Sequence, residues 1–131
     1  MFENNNLEPI LGHQTNIEFY GCPSDLIDDV VQIKQILIDV AEHINLSVVN
    51  TTIHRFSPIG VSGVVVIKES HIAVHTWPEH GYVAIDFFTC NQSYEIEKAI
   101  VYLFDKLEAK AKEVVSLKRG NMSTISKYKR I

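Results

Sequence analysis

The chain has 131 residues, 46% hydrophobic and 21% charged, with a formal net charge of −4. That length suits one folded unit, 1–131, with a single core, and the composition excludes an intrinsically disordered protein. The negative balance argues against a nucleic-acid binder, which needs clustered basic residues; the one basic cluster, Lys127, Lys129 and Arg130, reads as a solvated terminus.

In chain order, residues 1–10 read as a loose arm, and NIEFYG (16–21) as a short strand ended by Gly21 and Pro23. From Ser24 to about Asn45, Leu26, Val30, Ile33, Leu37, Val40 and Ile44 recur at intervals of three and four, the stripe of an amphipathic helix. Ser24 is placed to cap it, Asp25, Asp28 and Asp29 suit the positive end of its dipole, and Asn45 suits its stop. Four strand-like runs follow: SVVNTTIHRF, GVSGVVVIKES, HIAVHTW and GYVAIDFFTC, with Pro58, Pro78 and Gly81 as punctuation. A second helix is expected from near Ser93 to about Lys112, with Ile96, Ala99, Ile100, Leu103, Phe104 and Leu107 on its apolar face, and EVVSL as a last strand.

This order predicts an α+β two-layer sandwich, a mostly antiparallel sheet with two helices on one face. Val64, Val66, Ala73, Ile85 and Phe87 fall in one parity set along their strands, and Val65, Ile67, Ile72, Val74, Ala84 and Phe88 in the other. Both sets are apolar, yet one layer of helices covers one face, so the second face calls for a partner; a homodimer is the simplest supplier.

No apolar run is long enough to span a bilayer, and MFENNNLEPI is too acidic and polar for a signal peptide. Cys22 and Cys90 are too few for a disulfide framework, so the chain reads as cytoplasmic with reduced thiols. There is no CxxC, HExxH or phosphate loop, hence no sign of metal or nucleotide chemistry. The expected partners include neither nucleic acid nor membrane.

The chemistry concentrates in KESHIAVHTWPEHGYVAIDFFTC (68–90), which holds three of the six histidines, the only tryptophan and Cys90. Taken singly, Ser70 reads as a turn serine, Cys90 as a small buried hydrophobe and His75 as a core or edge histidine. Taken together, Glu69-Ser70-His71, His75-Thr76-Trp77-Pro78-Glu79 and Phe88-Thr89-Cys90, with HRFSPIGVSGVVV (54–66) upstream, resemble the prokaryotic S-adenosylmethionine decarboxylases. The resemblance runs from about Gly12 to Gly120, with the motifs in the family's order and spacing.

The resemblance implies a proenzyme that cuts itself between Glu69 and Ser70, giving chains 1–69 and 70–131. The Ser70 hydroxyl would attack the preceding carbonyl, and elimination and hydrolysis would leave a covalent pyruvoyl group derived from Ser70. That group forms a Schiff base with the substrate and acts as the electron sink, without pyridoxal phosphate or metal. Serine is a weak nucleophile, so the attack needs an acid/base and oxyanion donors. By the same resemblance, His75 is the proton acceptor in processing, Ser62 assists it, and Cys90 is the proton donor in decarboxylation. A thiol suits that task because it holds its proton at neutral pH yet gives it up readily.

Phe56 and Trp77 match aromatic positions of the family's substrate pocket and are suited to stacking on adenine; core packing is the alternative. Glu79 reads as a ligand for ribose hydroxyls or a cationic end, or as a solvated loop carboxylate; Glu18 as facing the site or merely exposed. His54, His71, His80 and Cys22 read as structural. Departures from the family pattern are Asn91 in place of glycine after Cys90, His80 in place of tyrosine, and the order Gly12-His13-Gln14. Asn91 tolerates the left-handed turn that glycine permits.

The implied reaction is decarboxylation of S-adenosylmethionine for polyamine (spermidine) synthesis, in a homodimer of processed protomers with active sites at their interface. The same chemistry on arginine or ornithine is the alternative, and an unprocessed, non-catalytic partner subunit a further one. Ser70 and His75 differ by five, so a regular strand puts them on opposite faces. Convergence would need a bend near Ser70, and local irregularity at 69–71 is therefore expected.

Overall fold

The computed structural model describes residues 9–90 and 95–130. The strands are β1 (Ile10–Tyr20), β2 (Val48–Arg55), β3 (Val61–Ile67), β4 (Ser70–Trp77), β5 (Tyr82–Thr89) and β6 (Ala111–Asn121). The helices are α1 (Ser24–Ile27), α2 (Val30–His43), α3 (Ile96–Lys106) and α4 (Met122–Tyr128). The strands form one antiparallel sheet in the order β2-β3-β4-β5-β1-β6. The arm at 1–8, Asn91 and Ser93 lie outside the described residues.

The core lies between the sheet and α2 and α3. Ile33, Leu37, Val40 and Ala41 from α2, and Ala99, Ile100 and Leu103 from α3, meet Ile17, Phe19, Val61, Val65, Ile67, Ile72, Val74, Val83, Ile85 and Phe87. The α+β two-layer architecture is therefore the one expected, but the faces divide differently. Register pairs Ile85 with Val74 and Phe87 with Ile72, which carries Ile85 and Phe87 under the helices. Val64, Val66, Ala73, Ala84 and Phe88 lie on the other, open face.

The first helix is broken in two. Asp29 caps α2, its side chain accepting from the amides of Val31 and Gln32, whereas Ser24 caps nothing because α1 starts after Pro23 without a side-chain cap. Asn45, at φ +61, ends α2 as expected. The break has a tertiary cause. Asp28 leaves the helical path to accept hydrogen bonds from the Gly60 amide (2.8 Å) and the Arg55 guanidinium (2.6 Å). A hydrogen bond from the Gly60 amide, then the guanidinium, hold its carboxyl below the usual carboxylate range. β1 and β6 are longer than expected because they pair with each other over most of their length. α4, in a segment read as a solvated terminus, is capped by the Asn121 side chain.

Candidate active site

The β3–β4 hairpin turns on Lys68 and Glu69, with Ile67 opposite Ser70. Neither turn residue is glycine or asparagine, the usual carriers of a tight hairpin. The strain emerges one residue later: Ser70 sits at φ +153, a conformation that a residue with a Cβ rarely adopts. This is the irregularity expected at 69–71. Three hydrogen bonds hold the turn. The Lys68 amide donates to the Ser47 carbonyl (2.9 Å), the Ser47 amide to Glu69 Oε1 (3.2 Å), and the Cys90 amide to the Glu69 carbonyl oxygen (2.9 Å). The last of these places a backbone N–H on the carbonyl that precedes Ser70. Ser70 is half-buried and Cys90 exposed.

A second cluster lies at the far end of β4. Register aligns His54 with Ser62, Ser62 with His75 and His75 with Ala84, a row across four strands. Ser62 Oγ and His75 Nδ1 share a hydrogen bond of 2.9 Å. The glycines of GVSG explain how Ser62 is placed. Gly60, at φ +110, turns the chain into β3 while its amide meets Asp28. At Gly63 a Cβ would lie 2.6 Å from Ile53 Cγ1 and 2.7 Å from the Thr52 carbonyl oxygen, so only glycine lets β2 close on β3 there. On the buried side, the Thr76 hydroxyl donates to the Ile27 carbonyl (2.8 Å) and accepts from the Val61 amide (2.9 Å). With Thr76 pinned inward, pleat alternation sends His75 and Trp77 to the open face.

Trp77 stacks on Tyr82 (centroids 5.2 Å apart), and Tyr82 stacks on Tyr20 (5.7 Å). The Tyr82 hydroxyl donates to the Glu18 carboxylate and the Tyr20 hydroxyl to Glu113 (2.6 Å). Burial and then Glu18 raise the Tyr82 phenol well above the usual tyrosine value; the bond to Glu113 pushes Tyr20 up to about 12. Glu18 thus faces the open side. Phe56 and Trp77 are 47% and 41% exposed, which favours a contact role over core packing. Glu79 is exposed in the 3-10 turn Pro78–His80. His71 packs edge-on to Phe88, and Cys22 is buried, its thiol raised to about 11 by burial.

The sequence reading passed over His54, which lies beside Ser62 with its ring edge-on to Phe56 (4.7 Å), and over Tyr82 and Tyr20. Parity carried a signal for one of them. Tyr82 alternates with Val83, Ile85 and Phe87, the buried members of its strand.

The structure therefore gathers Glu69, Ser70 and Cys90 at one end of β4, and Ser62, His75, Trp77, Phe56 and Glu79 toward the other. It does not bring the two groups together. Among the described residues no group of three or more His, Cys, Asp or Glu side chains is placed to hold a metal ion. Among the described residues no helix is long and apolar enough to cross a membrane.

The family model for S-adenosylmethionine decarboxylase matches residues 13–120, which include both clusters. The chain belongs to the S-adenosylmethionine decarboxylase family. Family relatives named S-adenosylmethionine decarboxylase proenzyme include one from Thermodesulfovibrio yellowstonii, 41% identical over 113 residues (86% of this chain and 84% of that protein). Another, from Thermosipho africanus, is 44% identical over 115 residues (88% of each). The crystal structure of the adenosylmethionine decarboxylase from Aquifex aeolicus VF5 superposes with a TM-score of 0.78 at 33% identity, covering 85% of this chain and 92% of that one. The S-adenosylmethionine decarboxylase fold is thus the frame on which both clusters sit.

Proposed function

We propose that the chain is the proenzyme of a pyruvoyl-dependent S-adenosylmethionine decarboxylase that cuts itself between Glu69 and Ser70, into 1–69 and 70–131. The Glu69–Ser70 peptide carries this reading: a strained φ on one side, and a carbonyl already held by the Cys90 amide on the other. The Ser70 hydroxyl bonds to the Glu69 carbonyl carbon, the C–N bond breaks, and the hydroxyl proton ends on the Ser70 nitrogen. The Cys90 amide is poised to stabilise the oxyanion in between. Removal of the Ser70 Cα proton then expels Glu69 as a carboxylate. Water replaces the nitrogen, which leaves as ammonia, and a ketone remains.

His75 is the base for that proton, oriented by Ser62. Along β4, however, five residues put His75 roughly 17 Å from its own Ser70, too far for proton transfer. The site is complete only if a second protomer lays its open face against the first, so that Ser70 and Cys90 of one meet Ser62 and His75 of the other. Val64, Val66, Phe88, Val115 and Leu117 give that face an apolar surface to bury. We therefore read a homodimer with two composite sites.

The pyruvoyl group, when present, supplies a carbonyl that condenses with the substrate amine and takes up the electrons released as CO₂ leaves. Cys90, exposed beside Ser70, returns the proton to carbon. Phe56 and Trp77 stack on adenine, and Glu79 reaches the ribose or the cationic end of the substrate. Exposed aromatic faces suit S-adenosylmethionine better than arginine or ornithine, whose recognition calls for a carboxylate clamp. Free thiols at Cys22 and Cys90 suit a cytoplasmic setting.

Intact mass spectrometry of wild type beside Ser70→Ala tests the cleavage, and CO₂ release from S-adenosylmethionine, arginine and ornithine tests the substrate. Two fragments meeting at 69/70, with a pyruvoyl mass on the second and CO₂ from S-adenosylmethionine, are expected. A chain that stays whole would favour a non-catalytic partner subunit.

A further inference from the structure

The three hydrogen bonds that hold the Lys68–Glu69 turn are not equivalent. Two join backbone to backbone and continue the sheet: Lys68 to Ser47 beyond the Val48–Ile67 pair, and Cys90 to Glu69 beside the Ser70–Thr89 pair. The third runs from the Ser47 amide to the Glu69 side chain. Ser47 stands between α2 and β2, so one residue grips the turn with both its carbonyl and its amide. Glu69 is thereby held on opposite sides, by its carboxylate toward β2 and by its carbonyl toward β5. The chain must pass from this doubly held residue straight into β4, and it does so at φ +153.

We propose that the Glu69 carboxylate is a positioning group for self-cleavage. Anchored on the Ser47 amide, it keeps the Glu69 carbonyl on the Cys90 amide and keeps Ser70 in its strained conformation. This rests on the reading of 69–70 as the cleaved bond. In the first step the Ser70 oxygen bonds to the Glu69 carbonyl carbon, the C–N bond breaks, and the hydroxyl proton passes to nitrogen. The Glu69 side chain neither gives nor takes a proton. Its contribution is reach: an acceptor oxygen at the end of two methylenes, at 3.2 Å from its donor.

Reach and charge separate by substitution. Glu69→Ala removes the acceptor. Glu69→Asp keeps the charge but shortens the arm by a methylene. Glu69→Gln keeps the arm and an acceptor oxygen but loses the charge. The fraction cut is followed by intact mass spectrometry after cell-free synthesis, beside Ser70→Ala. Glu69→Ala and Glu69→Asp should slow cleavage by about ten- to a hundredfold, the scale of a misplaced reacting group. Glu69→Gln should restore most of what Glu69→Ala loses. In the uncut Ser70→Ala background, hydrogen exchange at the Cys90 amide should quicken with Glu69→Ala and Glu69→Asp but not with Glu69→Gln. Wild-type speed in Glu69→Ala overturns the positioning role alone, as does a Glu69→Gln as slow as Glu69→Ala, which would mean action through charge or a proton. A wild type left whole, or a Ser70→Ala chain that is cut at 69/70, overturns the cleavage reading and the positioning role with it.

Discussion

Ser70 and His75 stand on one strand, five residues and roughly 17 Å apart, and at φ +153 Ser70 departs from the regular pleat that would point the two to opposite faces. His75 shares its parity with Trp77 on the open side. The irregularity at Ser70 does not shorten that distance. On the composite-site reading, Ser70→Ala and His75→Ala chains each fail to mature alone. Co-expressed, they form mixed dimers in which one site joins an intact Ser70 to an intact His75. Cleavage of the His75→Ala chain should then appear, and mass spectrometry of the mixture distinguishes the two chains. No cleavage in the mixture would place the whole reaction within one protomer.

On the proposed reading, Ser62 acts through His75, to which it is hydrogen-bonded. Ser62→Ala removes the hydroxyl that orients the ring, a hydrogen bond worth about 1 kcal/mol. Processing should slow by about fivefold with the melting temperature little changed. A rate equal to wild type would leave Ser62 as a turn residue only.

Gly63→Ala tests the close approach of β2 and β3. A methyl group there meets backbone as well as the Ile53 side chain, so the strands must part. Overpacking of this kind costs about 1–3 kcal/mol, and the Ser62–His54 side of the row moves with it. Thermal unfolding should start several degrees lower, and cleavage should slow together with it.

Asp28 links α1 to the loop that carries Phe56. Its carboxyl lies below the ordinary range in the folded protein, so its contribution to stability is whole above about pH 4 and is lost as pH falls through the folded value. The difference in melting temperature between wild type and Asp28→Asn should be largest near neutrality and shrink in acid. A difference independent of pH would mean that the charge plays no part.

Tyr82 is the reverse case. Its phenol is raised by burial and by Glu18, so its contribution is whole below about pH 10 and is lost as pH rises through the folded value. In absorbance at 295 nm, wild type should show tyrosines that stay protonated beyond the ordinary range, and Tyr82→Phe should show one fewer, Tyr20 remaining raised. That variant should also melt about 4 °C lower, the scale of one lost hydrogen bond of about 1 kcal/mol.

Much of this was legible in the sequence, and the rest was hidden for physical reasons. The alternation in HIAVHTW and GYVAIDFF gives β4 and β5 almost to the residue, since pleat and burial obey the same period. The motifs singled out Ser62, Glu69, Ser70, His75 and Cys90, which the fold places in two groups along β4. The break between α1 and α2 was not legible, because its cause is an amide more than 30 residues away, at Gly60. The full reach of β1 and β6 was hidden likewise; each owes its length to the other. The pairing of His54 with Ser62 was hidden in the same way, in a register that local sequence does not state.

On the composite-site reading, the separation of the two clusters along β4 sets the order of events in the life of the molecule. A protomer newly released from synthesis would then hold every group the reaction needs and be unable to complete a site alone. On the composite-site reading, the bond that breaks belongs to one chain, but the rate of breaking is second order in protein when assembly is slow. Dilution then preserves the precursor, and abundance triggers its conversion. On that reading, pairing serves as the checkpoint that no single copy can pass.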